Sequence, residues 1–106
     1  MATQTTALKL VKQFASDVAA AGLPLDDVYL FGSFAKNKQR RFSDIDVALV
    51  SNRFNGFLFQ DIDHFIDVKI RKPYSNIQVT TFSTTYFKKG DPFIDEIKRT
   101  GIKIRI

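Results

Sequence analysis

The residues best equipped for chemistry are Asp44 and Asp46, one residue apart at the head of an apolar run, and the Gly32-Ser33 pair that precedes them by ten residues. In a strand, alternate side chains project to one face, so Asp44 and Asp46 are expected to point together while Ile45, Val47 and Leu49 point away. Two neighbouring carboxylates repel each other unless a positive charge lies between them. Hard divalent cations take oxygen ligands and share them with the phosphates of a nucleotide. A Gly-Ser turn suits those phosphates, because its backbone allows close approach and a short helix beginning there aims N–H groups at an anion. Residue types and spacing therefore point to metal-dependent chemistry on a nucleoside triphosphate. The plainer alternative is two surface aspartates beside an ordinary turn.

Such residues need a sheet to hold them and helices to cover it. An amphipathic helix is expected over residues 5–21, where Leu8, Val11, Phe14, Ala15 and Val18 share a face and Gly22 and Pro24 stop it. A strand over 28–31 runs into the Gly-Ser turn, 33–37 suits a helical turn, and a strand over 44–50 carries the aspartates. Residues 52–56 read as a loop. The stripe Leu58, Ile62, Phe65, Ile66 and Ile70 predicts a second helix over 57–71, which Pro73 ends. β-branched residues mark a strand over 77–82. Pro92 suits the first turn of a last helix over 91–99, with Phe93, Ile94 and Ile97 facing inward. Gly101 closes that helix, and Ile102, Ile104 and Ile106 alternate as an edge strand. No repeat, low-complexity stretch or linker interrupts the chain, so one domain over residues 1–106 is expected.

Gly32-Ser33, ten residues and then Asp44-x-Asp46 resembles the signature of the minimal nucleotidyltransferases of the DNA polymerase β superfamily. Those are small proteins, often the antitoxin half of HEPN/MNT toxin–antitoxin pairs. The resemblance runs from the first helix to the closing helix and strand at 93–98 and 101–104, with the Gly-Ser and Asp-x-Asp parts the diagnostic ones. It implies an α/β (α+β) fold, a mixed sheet with helices packed mainly on one face. It also implies transfer of a nucleoside monophosphate from a triphosphate, AMP from ATP being the expected case. In some members the acceptor is a tyrosine of a HEPN-type partner. Asp44 and Asp46 would then be catalytic and hold two Mg²⁺ ions about 3.5–4 Å apart. Gly32 and Ser33 would bind the nucleotide.

The superfamily pattern includes a third carboxylate on the following strand, and the matching position here is Gln78, flanked by the core candidates Ile77 and Val79. A glutamine can offer its carbonyl oxygen but cannot act as a base. Three readings stay open. Two carboxylates suffice with a metal-acidified hydroxyl or a base from the partner; or Asp67, or Asp61 or Asp63, takes the third role; or the domain is a silent antitoxin that acts by binding. His64 neighbours Asp61 and Asp67 at helical spacing, although an ordinary surface histidine is the simpler reading.

At 106 residues there is room for one core and no separate acceptor-binding domain, so the acceptor is small or another protein supplies that surface. Hydrophobic content of 44% with 25% charged residues is that of a soluble globular protein. No run approaches the ~20 apolar residues of a membrane span. The absence of cysteine and of a signal-peptide pattern fits the cytoplasm. A net charge of +5 favours an anionic partner, and Lys36, Lys38, Arg40 and Arg41 crowd the segment between the two motif halves. They could contact phosphate or nucleic acid; nucleic acid is the less favoured, since it leaves the adjacent carboxylates unexplained. Of the phenylalanines, Phe14, Phe31, Phe65 and Phe93 fit the core. Phe54, Phe57 and Phe59 crowd around Gly56 as either a partner patch or a satellite core. Tyr29, Tyr74 and Tyr86 are either packed or open to modification.

Overall fold

The computed structural model describes residues 2–106. Helix α1 (Gln4–Ala20) starts at a capping box in which Thr3 accepts the Thr6 N–H and the Thr6 hydroxyl accepts the Thr3 N–H. Its buried stripe is Ala7, Val11, Phe14, Ala15 and Val18, close to the stripe expected from periodicity. Strands β1 (Asp27–Phe31), β2 (Ile45–Ser51), β3 (Ile77–Ser83) and the two-residue β4 (Ile102–Lys103) form one sheet in the order β3-β2-β1-β4. β2 and β3 are parallel, whereas β1 is antiparallel to both β2 and β4. The sheet is mixed, as expected.

Alternation along the strands divides the core in two. Val28, Leu30, Ile45, Val47, Leu49, Ile77 and Val79 join the buried stripe of α1, Phe65 and Tyr74 in the larger cluster. On the other face, Ala48, Val50 and Phe82 meet Phe87, Ile94 and Ile97 in a smaller cluster. Those three come from α4 (Thr84–Lys89) and α5 (Pro92–Thr100). Asp91 caps α5 by accepting the Ile94 N–H at 2.7 Å, with Pro92 in the first turn as expected.

Several expectations need correction. The helix over 57–71 is broken into α2 (Leu58–Asp61), a 3-10 turn (Ile62–His64) and α3 (Ile66–Lys69). Phe65 causes the break: its backbone leaves the helical region at φ −142°, ψ 15°, and its ring packs against Phe14 and Phe54. Leu58 and Ile70, expected on the buried stripe, are exposed. Phe31 is only half-buried and Phe93 is exposed, so neither belongs to the core proper. The terminal edge strand stops at Lys103 and leaves Ile106 exposed, while α4 has no counterpart in the sequence reading.

Candidate active site

Strand register assembles the site at one end of the sheet. Phe31, the last residue of β1, lies opposite Asp46, and Asp46 lies beside Gln78 of β3. The row behind it is Tyr29, Ala48 and Thr80. Asp46 and Gln78 share a face, since both alternate with core residues on the larger cluster. Gln78 is exposed and carries no charge.

The Gly-Ser turn closes over Asp46. Gly32 has φ +73°, a left-handed backbone that favours glycine, and a Cβ there would run into the Asp46 carboxylate, lying 3.2 Å from its Cγ. Glycine is thus required twice, for its conformation and for the close approach. Beyond it the chain turns helically, with the Lys36 N–H donating to Gly32 O at 3.2 Å and the Lys38 N–H to Ser33 O at 2.8 Å. This is the expected turn at 33–37, and it brings Gly32 against the Asp46 carboxylate.

Asp44 lies one residue before β2 and is exposed. Asn76 fixes the backbone on both sides of it: Asn76 O accepts the Ile45 N–H at 3.0 Å, and Asn76 Nδ2 donates to Ser43 O at 3.1 Å. Partial burial pushes the Asp46 carboxyl above its ordinary pKa, and the charge of Asp44 adds to the rise. The two aspartates therefore feel each other. Neither forms an ion pair with a protein cation among the described residues.

No third His, Cys, Asp or Glu completes a cluster with them among the described residues. Asp61, weighed above as a stand-in, is buried and already engaged. It accepts the N–H groups of Asn55 and Gly56, each at 2.9 Å, and the Thr81 hydroxyl at 2.8 Å. That makes it the anchor of the 52–57 loop. Asp63 and Asp67 are exposed, and His64 is a surface residue beside Phe54.

The basic segment divides by position. Lys36 lies 3.5 Å from Glu96 of α5, whereas Lys38, Arg40 and Arg41 are exposed and Arg41 lies over the Phe42 ring. Of the crowded phenylalanines, Phe54 is buried but Phe57 and Phe59 are exposed, so the satellite core takes one and leaves two. Tyr74 is buried with its hydroxyl on Asp17, Tyr29 packs on Phe87, and Tyr86 is partly exposed.

Two supporting residues escape sequence reasoning. Gln4 Nε2 donates to Phe34 O at 3.0 Å and Ala35 O at 3.1 Å, tying the start of α1 to the Gly-Ser turn. Its signal was a polar residue in register with Ala7 and Val11 on the apolar face. Asn76 gave no comparable signal.

The fold has solved relatives. A Sulfolobus solfataricus structure assigned as a nucleotidyltransferase superposes with TM-score 0.68 at 23% identity, over 94% of this chain and 80% of that one. A toxin-antitoxin structure with AMP-PNP superposes with TM-score 0.52 at 18% identity, over 89% of this chain and 72% of that one. No curated protein matches the chain in sequence. Residues 9–104 match the nucleotidyltransferase domain family, which spans the turn, both aspartates and Gln78, and the chain belongs to that family.

Proposed function

We propose that the chain is a Mg²⁺-dependent nucleotidyltransferase that moves a nucleoside monophosphate, AMP from ATP as the working case, onto a hydroxyl of a partner protein. The observation that carries this reading is the Asp46 carboxylate held against the Gly32 turn with the charge of Asp44 close by. The residues fit magnesium: an oxygen-only donor set with two carboxylates matches an ion that keeps waters and takes phosphate oxygens for the rest. Asp44 and Asp46 would hold it. Bound there, magnesium would neutralise phosphate charge and acidify the acceptor hydroxyl.

The chain's own residues supply position. The Gly32-Ser33 turn receives the triphosphate and fixes the α-phosphorus beside Asp46. The acceptor oxygen attacks that phosphorus in line, its bond to the bridging oxygen breaks, and pyrophosphate leaves. Gln78 cannot accept the acceptor's proton, which goes to solvent or to a base on the partner. Much of the catalysis is then alignment on rigid strands. The toxin-antitoxin relative supports a protein partner, and the sequence resemblance supports a HEPN-type toxin.

Incubation with α-³²P-ATP, Mg²⁺ and the partner is expected to label the partner. Asp44→Ala and Asp46→Ala should each reduce labelling at least a hundredfold while the fold persists. Labelling that survives both changes would refute these roles. Gln78 favours a second reading, a silent antitoxin of the same fold that neutralises its partner by binding. That reading expects no labelling with any nucleotide, and a complex indifferent to Asp44→Ala.

A further inference from the structure

On the face that carries Asp46, β3 continues from Gln78 to Thr80 and Phe82. Two residues of strand span about 6.6 Å. There a cavity of about 300 Å³ opens, with Phe57, Thr80, Phe82, Tyr86 and Phe93 among its walls. Phe82 is the buried floor, whereas Phe57, Tyr86 and Phe93 are 68%, 46% and 47% exposed. Phe93 also stands edge-on to Phe31 at 5.6 Å between centroids, and 6.1 Å from Phe82. Phe31 is the cross-strand neighbour of Asp46, so a pair of rings links the cavity to the carboxylate.

We propose that this cavity is the nucleobase subsite for the donor nucleotide, and that it holds the base by stacking with little discrimination among bases. The inference rests on the nucleotide reading of Asp44 and Asp46. Three features favour a base over other occupants. The cavity lies at the small end of ligand sites and suits one heterocycle better than a helix or strand. Four of its eight lining residues, Phe57, Phe82, Tyr86 and Phe93, carry aromatic rings. It is also near the acidic end of the sheet, since Thr80 is two residues along β3 from Gln78 and Phe93 packs on Phe31, the cross-strand neighbour of Asp46.

Weak discrimination follows from how the surrounding polar groups are used. The Tyr86 hydroxyl donates to Asp91, and the Asn55 side chain accepts the Phe57 N–H at 2.8 Å and donates to Gln60. The N–H groups of Asn55 and Gly56 and the Thr81 hydroxyl are taken by Asp61. Ring faces and the Thr80 hydroxyl are left to meet a base. Stacking alone tolerates any base, because every base has a π-face.

Calorimetric titration with Mg²⁺ and ATP, GTP, UTP or inorganic tripolyphosphate tests the assignment. The wild type is expected to bind the three nucleotides within about fivefold of one another, as stacking implies. Phe57→Ala and Phe93→Leu should each weaken all three by about tenfold and leave tripolyphosphate unchanged. Phe57 is in an exposed loop, so its variant reports on the subsite even if Phe93→Leu lowers the melting temperature. Unchanged nucleotide affinity in both variants, or a preference above a hundredfold for one base, overturns the proposal. So does loss of transfer to a protein acceptor with nucleotide affinity intact, which would make the cavity an acceptor dock. Dissociation of a dimer by Phe57→Ala with nucleotide affinity intact overturns it as well. Asp44→Ala separates the two readings: affinity that survives it but falls in Phe57→Ala removes the metal site and keeps the subsite. A wild type that binds none of the four probes removes both.

Discussion

Asp46 is the residue at which the proposed function and stability oppose each other. Burial and the charge of Asp44 raise its pKa above that of the unfolded chain, so the unfolded state ionises at lower pH than the folded one. Below the ordinary carboxyl range the residue costs nothing; as pH rises through the raised value, ionisation favours unfolding. Asp46→Asn is therefore expected to melt higher than the wild type at pH 7 in the absence of nucleotide, with the difference vanishing near pH 3. Scanning calorimetry at the two pH values checks the sign. With Mg-ATP at a hundred times its Kd, the wild type should gain about 2.7 kcal/mol; the variant should gain little. Gly32→Ala should lose about 1–2 kcal/mol from the left-handed backbone and, by displacing the Asp46 carboxylate, lose the Mg-ATP stabilisation too. The approach of Gly32 to Asp46 was legible because it is written in local spacing. Gln4 and Asn76 act across long stretches of chain, where no short-range pattern exists to be read.

Among the elements, legibility followed how evenly each is buried. α1 lies along the sheet with one face covered throughout, so its periodicity gave nearly its full length. The segment over 57–71 carries two buried residues, Asp61 and Phe65, at a spacing that a helix places on one face, yet the helix is broken between them. Asp61 holds the 52–57 loop and Phe65 meets Phe14 and Phe54, and the backbone leaves the helical region at Phe65 to seat that ring. The apolar stripe was present, but tertiary contacts decided the backbone. Phe65→Ala is thus expected to destabilise the domain by about 3–5 kcal/mol, as for a buried ring. Phe59→Ala, at a side chain 91% exposed, should change stability by less than about 0.5 kcal/mol. Urea denaturation distinguishes them, and equal midpoints would show that the break at Phe65 is not a core anchor. α4 escaped notice because its short run of six residues offers too few turns for a period to emerge.

For the molecule as a whole, the proposed function requires an acidic site to attract a polyanion. Asp44 and Asp46 would repel a triphosphate, and on that proposal the net charge of +5 outweighs them at a distance. Its distribution matters more than its sum. Arg40 and Arg41 are exposed on the segment leading into Asp44, whereas Lys9 and Lys12 are exposed on α1, which packs on the opposite face of the sheet. Reversing either pair to glutamate changes the net charge equally. If whole-molecule charge alone steers the ligand, the two double variants should weaken Mg-ATP binding alike. If the segment between the motif halves concentrates the field, Arg40→Glu/Arg41→Glu should weaken binding about tenfold at about 0.1 M ionic strength and Lys9→Glu/Lys12→Glu less than about twofold, because exposed charges are then screened beyond about 10 Å. The geometry favours the second outcome. Raising ionic strength should shrink the gap between the variants, since screening removes the advantage that position confers. A gap that persists at 1 M salt would instead mean that Arg40 or Arg41 touches the phosphates directly.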